Sequence, residues 1–188
     1  MHTAFAGNPA SRLGRLLKRF ARTGDGATAV EFALVALPFF AMLFAILQTA
    51  LVFFASQVFE TAVAEASRKI MTGQITSGST DLAGFKTEIC NNLDALFDCE
   101  NGVSVDVTAT DSFDGANPGP VPIKNGKVNS SGFVFEPGNG GSIVTVRAVY
   151  QWPIFMSLMN PGLADVGSTR LLVATAVFQN EPFKSSGS

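Results

Sequence analysis

The chain has 188 residues, of which 47% are hydrophobic, and its formal net charge is −2. This length suffices for one ordinary domain and not comfortably for two. The acidic balance argues against a nucleic-acid-binding protein, which usually carries a basic patch on its folded part. We therefore expect no nucleic acid among its partners.

An apolar block without any charged side chain extends from Phe32 to Phe59. About 20 apolar residues cross roughly 30 Å of hydrocarbon, and residues 32–55 supply them. Pro38 lies in the first turns, where it can kink the helix without breaking it. A buried core helix of this length would be unusual in so small a domain, and a cleaved secretory signal has a shorter apolar region. The block therefore predicts a retained transmembrane helix.

The charges around this block predict its orientation. The basic residues of the N-terminal flank all precede it, and they are Arg12, Arg15, Lys18, Arg19 and Arg22. The positive-inside rule then places the N-terminus in the cytoplasm. Everything after about Phe59 lies outside the cytoplasm, which in a bacterium with an outer membrane is the periplasm.

The helix is expected to continue beyond the membrane as an amphipathic helix. Apolar residues recur there at helical spacing, and they are Ala55, Val58, Phe59, Ala62, Val63, Ala66 and Ile70. Gly73 is the expected C-terminal cap, because glycine readily adopts the left-handed conformation that ends many helices.

The next segment predicts a second helix and a disulfide. Asp81, or the Ser79 and Thr80 before it, is a suitable N-cap. One apolar face is formed by Leu82, Phe85, Ile89, Leu93, Leu96 and Phe97. In an oxidising compartment we expect a disulfide between Cys90, beside this face, and Cys99, just past its end. Two unpaired thiols, one buried and one exposed, are the alternative.

After Gly102 the apolar period changes from helical to two, which is typical of strands. "VSVDVTA" and "SIVTVRAVYQW" alternate clearly, and Pro153 ends the second. "STRLLVATAVFQNEPF" predicts a last strand with a less regular alternation, and "FVFEPGNGGS" a short strand with a Gly-rich turn. The segment from Asp111 to Gly132 is a long loop, and "PIFMSLMNPGLADVG" is an apolar connection too short for a second span. The predicted fold class is α+β, with a three- or four-stranded antiparallel sheet and helices covering one of its faces.

Residues that could carry catalysis or bind a metal are few. His2 is the only histidine, and two cysteines at this spacing do not make a zinc site. The acids and amide around the long loop, Asp106, Asp111, Asp114 and Asn117, lack the pattern of a calcium-binding loop, and we interpret them as turn residues. We predict no catalytic residue, no metal and no cofactor, and a membrane-tethered enzyme is disfavoured.

One carboxylate, Glu31, lies at the edge of the apolar block, where a charge costs free energy. The simpler interpretation is an acid that the helix macrodipole favours and that stays hydrated near the headgroups. The alternative rests on spacing. A peptidase that cut after Gly26 would leave Ala27 as the new N-terminus and Glu31 as the fifth residue. The amine of one subunit and the carboxylate of another would then neutralise each other in lipid.

The residues from Gly26 to Phe59 resemble the N-terminal block of type IV pilins and pseudopilins. The block "GATAVEFALVALPFF" is more specifically similar to the TadE-like family of the tight-adherence (Flp) pilus system, and "ATAVFQNEPF" resembles the C-terminal end of such proteins. The resemblance implies an inner-membrane pseudopilin that a prepilin peptidase cuts between Gly26 and Ala27, with Glu31 at mature position five. Phe32 stands where many major Flp pilins have Tyr. Those pilins are also very short, which favours a minor or priming subunit.

These expectations divide the chain into a basic cytoplasmic leader (1–26), a long helix (27–72) with its span at about 32–55, and a periplasmic domain (73–188). The expected function is that of a minor pilin or pseudopilin of a tight-adherence pilus, needed for pilus biogenesis and surface adherence. Its expected partners are the inner membrane, the prepilin peptidase, other pilin and pseudopilin subunits, and the pilus assembly machinery. The alternative is an uncleaved, membrane-anchored periplasmic assembly factor.

Overall fold

The structure is a computed structural model that describes residues 24–93, 97–154, 162 and 164–183. Most of the basic leader, Leu96 of the predicted second helix and most of the apolar connection after Pro153 lie outside the described residues. The chain divides into two compact units, one ending at Ile46 and the other beginning at Leu47.

The first element, helix α1, extends from Gly24 to Met71 and includes Pro38 without interruption. Its first described residue, Gly24, lies three residues before the expected start at Ala27. It ends as expected, because the Gly73 N–H donates to the Ile70 carbonyl at 3.0 Å and Gly73 has a φ of 72°. A side chain at Gly73 would also collide with Phe183, whose ring lies 2.6 Å from the point that a Cβ would occupy. The predicted continuous helix is therefore confirmed.

The part of α1 that belongs to the first unit carries its large apolar side chains exposed. Phe32, Leu34, Val35, Leu37 and Met42 each expose more than two thirds of their surface. Among the described helices, only α1 is long and apolar enough to span a membrane. This segment has the length and surface that a lipid environment requires.

The second unit contains a three-stranded antiparallel sheet. Its strands are β1 (Val103–Thr110), β4 (Ile143–Pro153) and β5 (Thr169–Gln179), and β4 lies between the other two. The expected short strand around Phe135 contributes only a parallel bridge to Val107. Together with the helices this sheet confirms the predicted α+β class.

One face of the sheet packs against the second half of α1. The helix contributes the predicted apolar face, and β4 contributes the predicted alternate residues, which are Val144, Val146, Ala148, Tyr150 and Trp152. On β5, Leu172 and Ala174 point into this core, whereas Val173, Thr175 and Val177 are exposed. The alternation of β5 is therefore more regular in the structure than in the sequence.

The second helix, α2, extends from Leu82 to Asn91 and is capped by Asp81, whose side chain accepts a hydrogen bond from the Gly84 N–H at 2.8 Å. It ends before Leu93 and Phe97, so the prediction that these two residues continue its apolar face was wrong, although both contact the core. A short helix, α3, follows at Cys99–Gly102. Cys90 and Cys99 would lie about 13 Å apart along one helix axis, which is too far for a disulfide, so the chain has to turn between them.

The other face of β4 is buried as well, because the segment after β1 folds back over it. This segment contains two 3-10 turns, at Phe113–Gly115 and Ser130–Gly132, and a small hairpin. The hairpin pairs β2 (Ile123–Lys124) with β3 (Lys127–Val128). Its two turn residues both have positive φ, as a type I′ turn requires, with 54° at Asn125 and 71° at Gly126.

Candidate functional site

The three residues of the expected processing site lie near the first described residue of α1. Gly26 and Ala27 are the third and fourth residues of the helix as the structure has it. The bond between Gly26 and Ala27 lies within the described part of α1.

Glu31 lies one turn after Ala27 on the same helix. Residues four apart share a helix face, so the backbone nitrogen of Ala27 and the side chain of Glu31 lie on the same side of α1. The side chain of Glu31 is exposed, and the neighbouring Val30 and Phe32 expose 60% and 72% of their surface. Within the described residues, Glu31 forms no ion pair. The arrangement is a lone carboxylate at the edge of an uncovered apolar helix.

The expected disulfide is formed between Cys90 and Cys99, whose Cα atoms are 5.8 Å apart. It closes the segment that carries Phe97 into the core. The Phe97 ring lies 5.9 Å from that of Phe59 on α1 and 5.3 Å from that of Trp152 on β4. The disulfide therefore fastens an aromatic contact between α1 and the sheet.

The side chain of Asp106 has a role that the turn interpretation missed. Asp106 lies within β1 and not in a turn, directly opposite Arg147 of β4. Its Oδ2 atom accepts a hydrogen bond from Arg147 Nη2 at 2.9 Å, and both residues are buried. The sequence signal for this pair was a charged residue at a polar position of each of two otherwise apolar strands. The register that sets Asp106 opposite Arg147, 41 residues later, cannot be predicted from either strand alone.

This ion pair also holds the segment that covers the outer face of the sheet. Arg147 Nη1 donates to the carbonyls of Pro118 at 2.7 Å and Gly119 at 3.1 Å. Asp106 Oδ1 accepts from the Val134 N–H at 3.0 Å. The turn interpretation fits Asn117, whose Oδ1 atom accepts from the Gly119 N–H at 3.0 Å. Among the described residues, no group of three or more His, Cys, Asp or Glu side chains could hold a metal ion.

A comparison with protein-family models matches residues 26–68 to the family described as TadE-like protein. Neither a curated protein nor a solved structure matches the chain significantly. The match confirms the resemblance seen in the sequence and covers less than a quarter of the chain. It begins at Gly26, includes Ala27 and Glu31, and ends within α1. Residues 26–68 are therefore similar to a family associated with the Tad pilus, and the exposed apolar helix that contains them could span a membrane.

Proposed function

We propose that this protein is a minor pilin or pseudopilin of a tight-adherence (Flp, type IV) pilus, needed for pilus biogenesis and surface adherence. In this proposal a prepilin peptidase removes residues 1–26, and the mature chain begins at Ala27. The observation that carries the proposal is Glu31, a lone exposed carboxylate one turn after Ala27 at the edge of an apolar helix. This part of the helix lies within the region matched by the TadE-like family.

The proposed role of Glu31 is to pair with the α-amine of Ala27 on a neighbouring subunit. A carboxylate moved into hydrocarbon or into a helix bundle without a partner costs several kcal/mol. An ammonium group beside it removes much of this cost, because each charge compensates the other. Subunits would therefore pack with their apolar helices side by side and offset along the axis, so that the two charged groups meet.

The proposed location is the bacterial inner membrane, with the N-terminus in the cytoplasm and residues 73–188 in the periplasm. The long helix, residues 27–72, would cross the membrane at about 32–55. The disulfide between Cys90 and Cys99 supports this location, because disulfides persist in the periplasm and are rare in the cytoplasm. The proposed partners are the peptidase, other pilin and pseudopilin subunits, and the assembly machinery.

The first test is the intact mass of the protein isolated from its own host. A mass that corresponds to Ala27–Ser188 supports the proposal. A mass that includes Met1 contradicts leader removal. The same sample measured before and after reduction also reports the disulfide, since reduction adds the mass of two hydrogen atoms.

The second test replaces Glu31 with Gln, which keeps the size of the side chain and removes its charge. We expect Glu31→Gln to abolish piliation and co-purification with other pilus subunits while the protein level in the membrane is maintained. Glu65→Gln is the matched control, because Glu65 is an exposed acid on the same helix beyond the apolar block. Normal piliation with Glu31→Gln would rule out the proposed pairing.

A second candidate function is a permanently anchored periplasmic assembly factor that is never cut. The observation that favours it is that the bond between Gly26 and Ala27 lies inside helix α1. A protease has to unwind that turn before cleavage. This candidate predicts a full-length chain in the membrane and unchanged assembly when Gly26 is replaced, for example by Gly26→Val, whereas the pilin proposal predicts loss of both processing and assembly.

A further inference from the structure

Among the described residues, the β1 edge of the sheet is interrupted at its centre and the β5 edge has no partner strand. On the β1 side, both the N–H and the carbonyl of Val107 already form hydrogen bonds. Its N–H donates to the Val134 carbonyl at 2.8 Å, and its carbonyl accepts from the Glu136 N–H at 2.8 Å. On the other side, β5 pairs along its full length with β4, and no described strand lies on its second edge.

The direction of the unpaired groups on β5 follows from hydrogen bonds at its start. The Thr169 N–H donates to the Val166 carbonyl at 3.0 Å and the Leu171 N–H to Asp165 Oδ2 at 3.0 Å, both away from β4. Along an antiparallel strand, alternate residues direct their N–H and carbonyl groups to the same side. The N–H and carbonyl groups of Val173, Thr175 and Val177 therefore also point away from β4. Within the described residues, no group bonds to the N–H or the carbonyl of these three residues. The edge of β5 therefore offers three hydrogen-bond donors and three acceptors.

Natural proteins usually cover or charge an edge of this kind, because an open edge is a template for another strand. Here the exposed side chains beside it are the β-branched Val173, Thr175 and Val177, of which the two valines expose 39% and 43%. None of them carries a charge. An edge of this composition is suited to accept a strand.

A groove lies along this edge, between β5 and the second half of α1. Its walls are residues 173–176 of β5 on one side and Glu60, Val63 and Ala64 of α1 on the other. It continues beside residues 170–173 towards Val52 and Ser56. The groove gives side chains of an incoming strand a mixed polar and apolar surface to contact, and Glu60 and Thr175 are among its polar residues.

The charge of the groove specifies one feature of the occupant. Glu60 is exposed, and its carboxylate accepts only weak hydrogen bonds from Ser56 and Gln57, at 3.4 Å each. It forms no ion pair with any described residue. The basic residue near the groove, Arg170, is already paired with Asp165 at 3.0 Å. A Lys or Arg on the incoming strand would therefore meet an uncompensated carboxylate.

A second copy of this chain fits the edge poorly. The second half of α1 has the same direction as β5. Ser56 lies beside the start of β5, and just past the end of β5 the Glu181 N–H donates to the Met71 carbonyl at 2.9 Å. Two identical edges related by a two-fold axis pair antiparallel, which would make their two α1 helices run in opposite directions. Copies anchored in one membrane by the residues before Leu47 have their helices in the same direction.

We propose that the open edge of β5 binds an extended strand of a different pilus subunit, one that places a Lys or Arg side chain against Glu60. This proposal rests on the proposed function for the compartment and the class of partner. Strand addition supplies affinity through the N–H and carbonyl groups of Val173, Thr175 and Val177, which bond to no described residue, and the groove and Glu60 supply selectivity.

The experiment is photo-crosslinking in membranes from the host, with full-length protein. Val177→Cys introduces the only free thiol, because both native cysteines are in the disulfide, and it is labelled with a benzophenone maleimide. We expect an adduct with another pilus subunit whose cross-linked peptide contains Lys or Arg. Thr87→Cys, on the exposed face of α2, is the control position and should give no such adduct.

Two substitutions test how the adduct forms. Thr175→Pro removes one outward N–H and places a ring at the edge, while the pairing of β5 with β4 is kept, since proline is tolerated on an edge strand when its nitrogen faces outward. We expect about a tenfold loss of adduct, and none with Thr175→Val, which keeps the N–H. Glu60→Lys should lower the yield several-fold and Glu65→Lys should not. Trp152 fluorescence checks that each variant is folded.

Three outcomes overturn the docking proposal: no adduct, an adduct between two copies of this chain, or an adduct that Thr175→Pro leaves unchanged. The intact mass of the same samples separates this proposal from the proposed function. A processed chain that gives no adduct overturns the docking site alone. An unprocessed chain that gives the expected adduct overturns the pilin proposal and supports the docking site.

Discussion

The buried ion pair between Asp106 and Arg147 gives the sharpest stability prediction. Their side chains expose only 12% and 6% of their surface, and they are joined at 2.9 Å. Asp106→Asn removes the negative charge at nearly constant size. Arg147 then remains buried as a cation, bonded to the carbonyls of Pro118 and Gly119 but without a carboxylate.

The expected magnitude follows from the position of the charge that is left. Removing one member of a buried ion pair typically costs about 3–5 kcal/mol. The two remaining carbonyl contacts and the Phe133 ring, 5.3 Å from the Arg147 guanidinium carbon, favour the lower end. We therefore expect Asp106→Asn to lower the free energy of unfolding by about 3 kcal/mol. For a unit of this size this corresponds to a fall of roughly 6–12 °C in Tm.

The assay is thermal unfolding of the full-length protein in detergent micelles, followed by the fluorescence of Trp152. This residue is the single tryptophan of the chain and is buried in the core of the second unit. Asp165→Asn is the matched control. Its pair with Arg170 has the same kind of contact, at 3.0 Å, but both side chains are 39% exposed. An exposed pair contributes at most about 1 kcal/mol, so the control should shift Tm only slightly.

The double variant Asp106→Leu with Arg147→Met separates charge from packing. It leaves no buried charge at this site. Its loss of stability should therefore be smaller than the sum of the losses measured for Asp106→Leu alone and Arg147→Met alone. The reasoning is refuted if Asp106→Asn lowers Tm no more than the exposed control does. It is also refuted if the two single losses simply add, because the two side chains would then act independently.

Three further changes test other contacts with the same fluorescence signal. Reduction of Cys90–Cys99, or replacement of both by Ser, should lower the free energy of unfolding by about 2–3 kcal/mol, and addition of reductant to the double Ser variant should have no further effect. Phe97→Ala should cost about 3–4 kcal/mol, because it empties a site between α1 and the sheet; a loss below about 1 kcal/mol would contradict its place in the core. Gly126→Ala should cost about 1 kcal/mol because its φ is positive, whereas Gly132→Ala, with an ordinary φ and open space around it, should be neutral.

The sequence by itself determined the elements whose signal is local. The apolar block between Phe32 and Phe59 predicted one long helix, since its length and lack of charge are sufficient evidence without any other segment. The alternation in β1 and β4 predicted which side chains face the core, and these residues are in it. The spacing of Gly26, Ala27 and Glu31 pointed to the family that the comparison found.

The tertiary structure decided the features that depend on distant parts of the chain. Helix α2 ends at Asn91 although the apolar period alone continues to Phe97, and the disulfide requires the chain to turn between Cys90 and Cys99. Asp106 became half of a buried ion pair only because strand register sets it opposite Arg147. The open edge of β5 likewise follows from strand order. Periodicity records which face of an element is apolar, but it contains no information on which element lies beside it, and that neighbour decides burial, pairing and exposure.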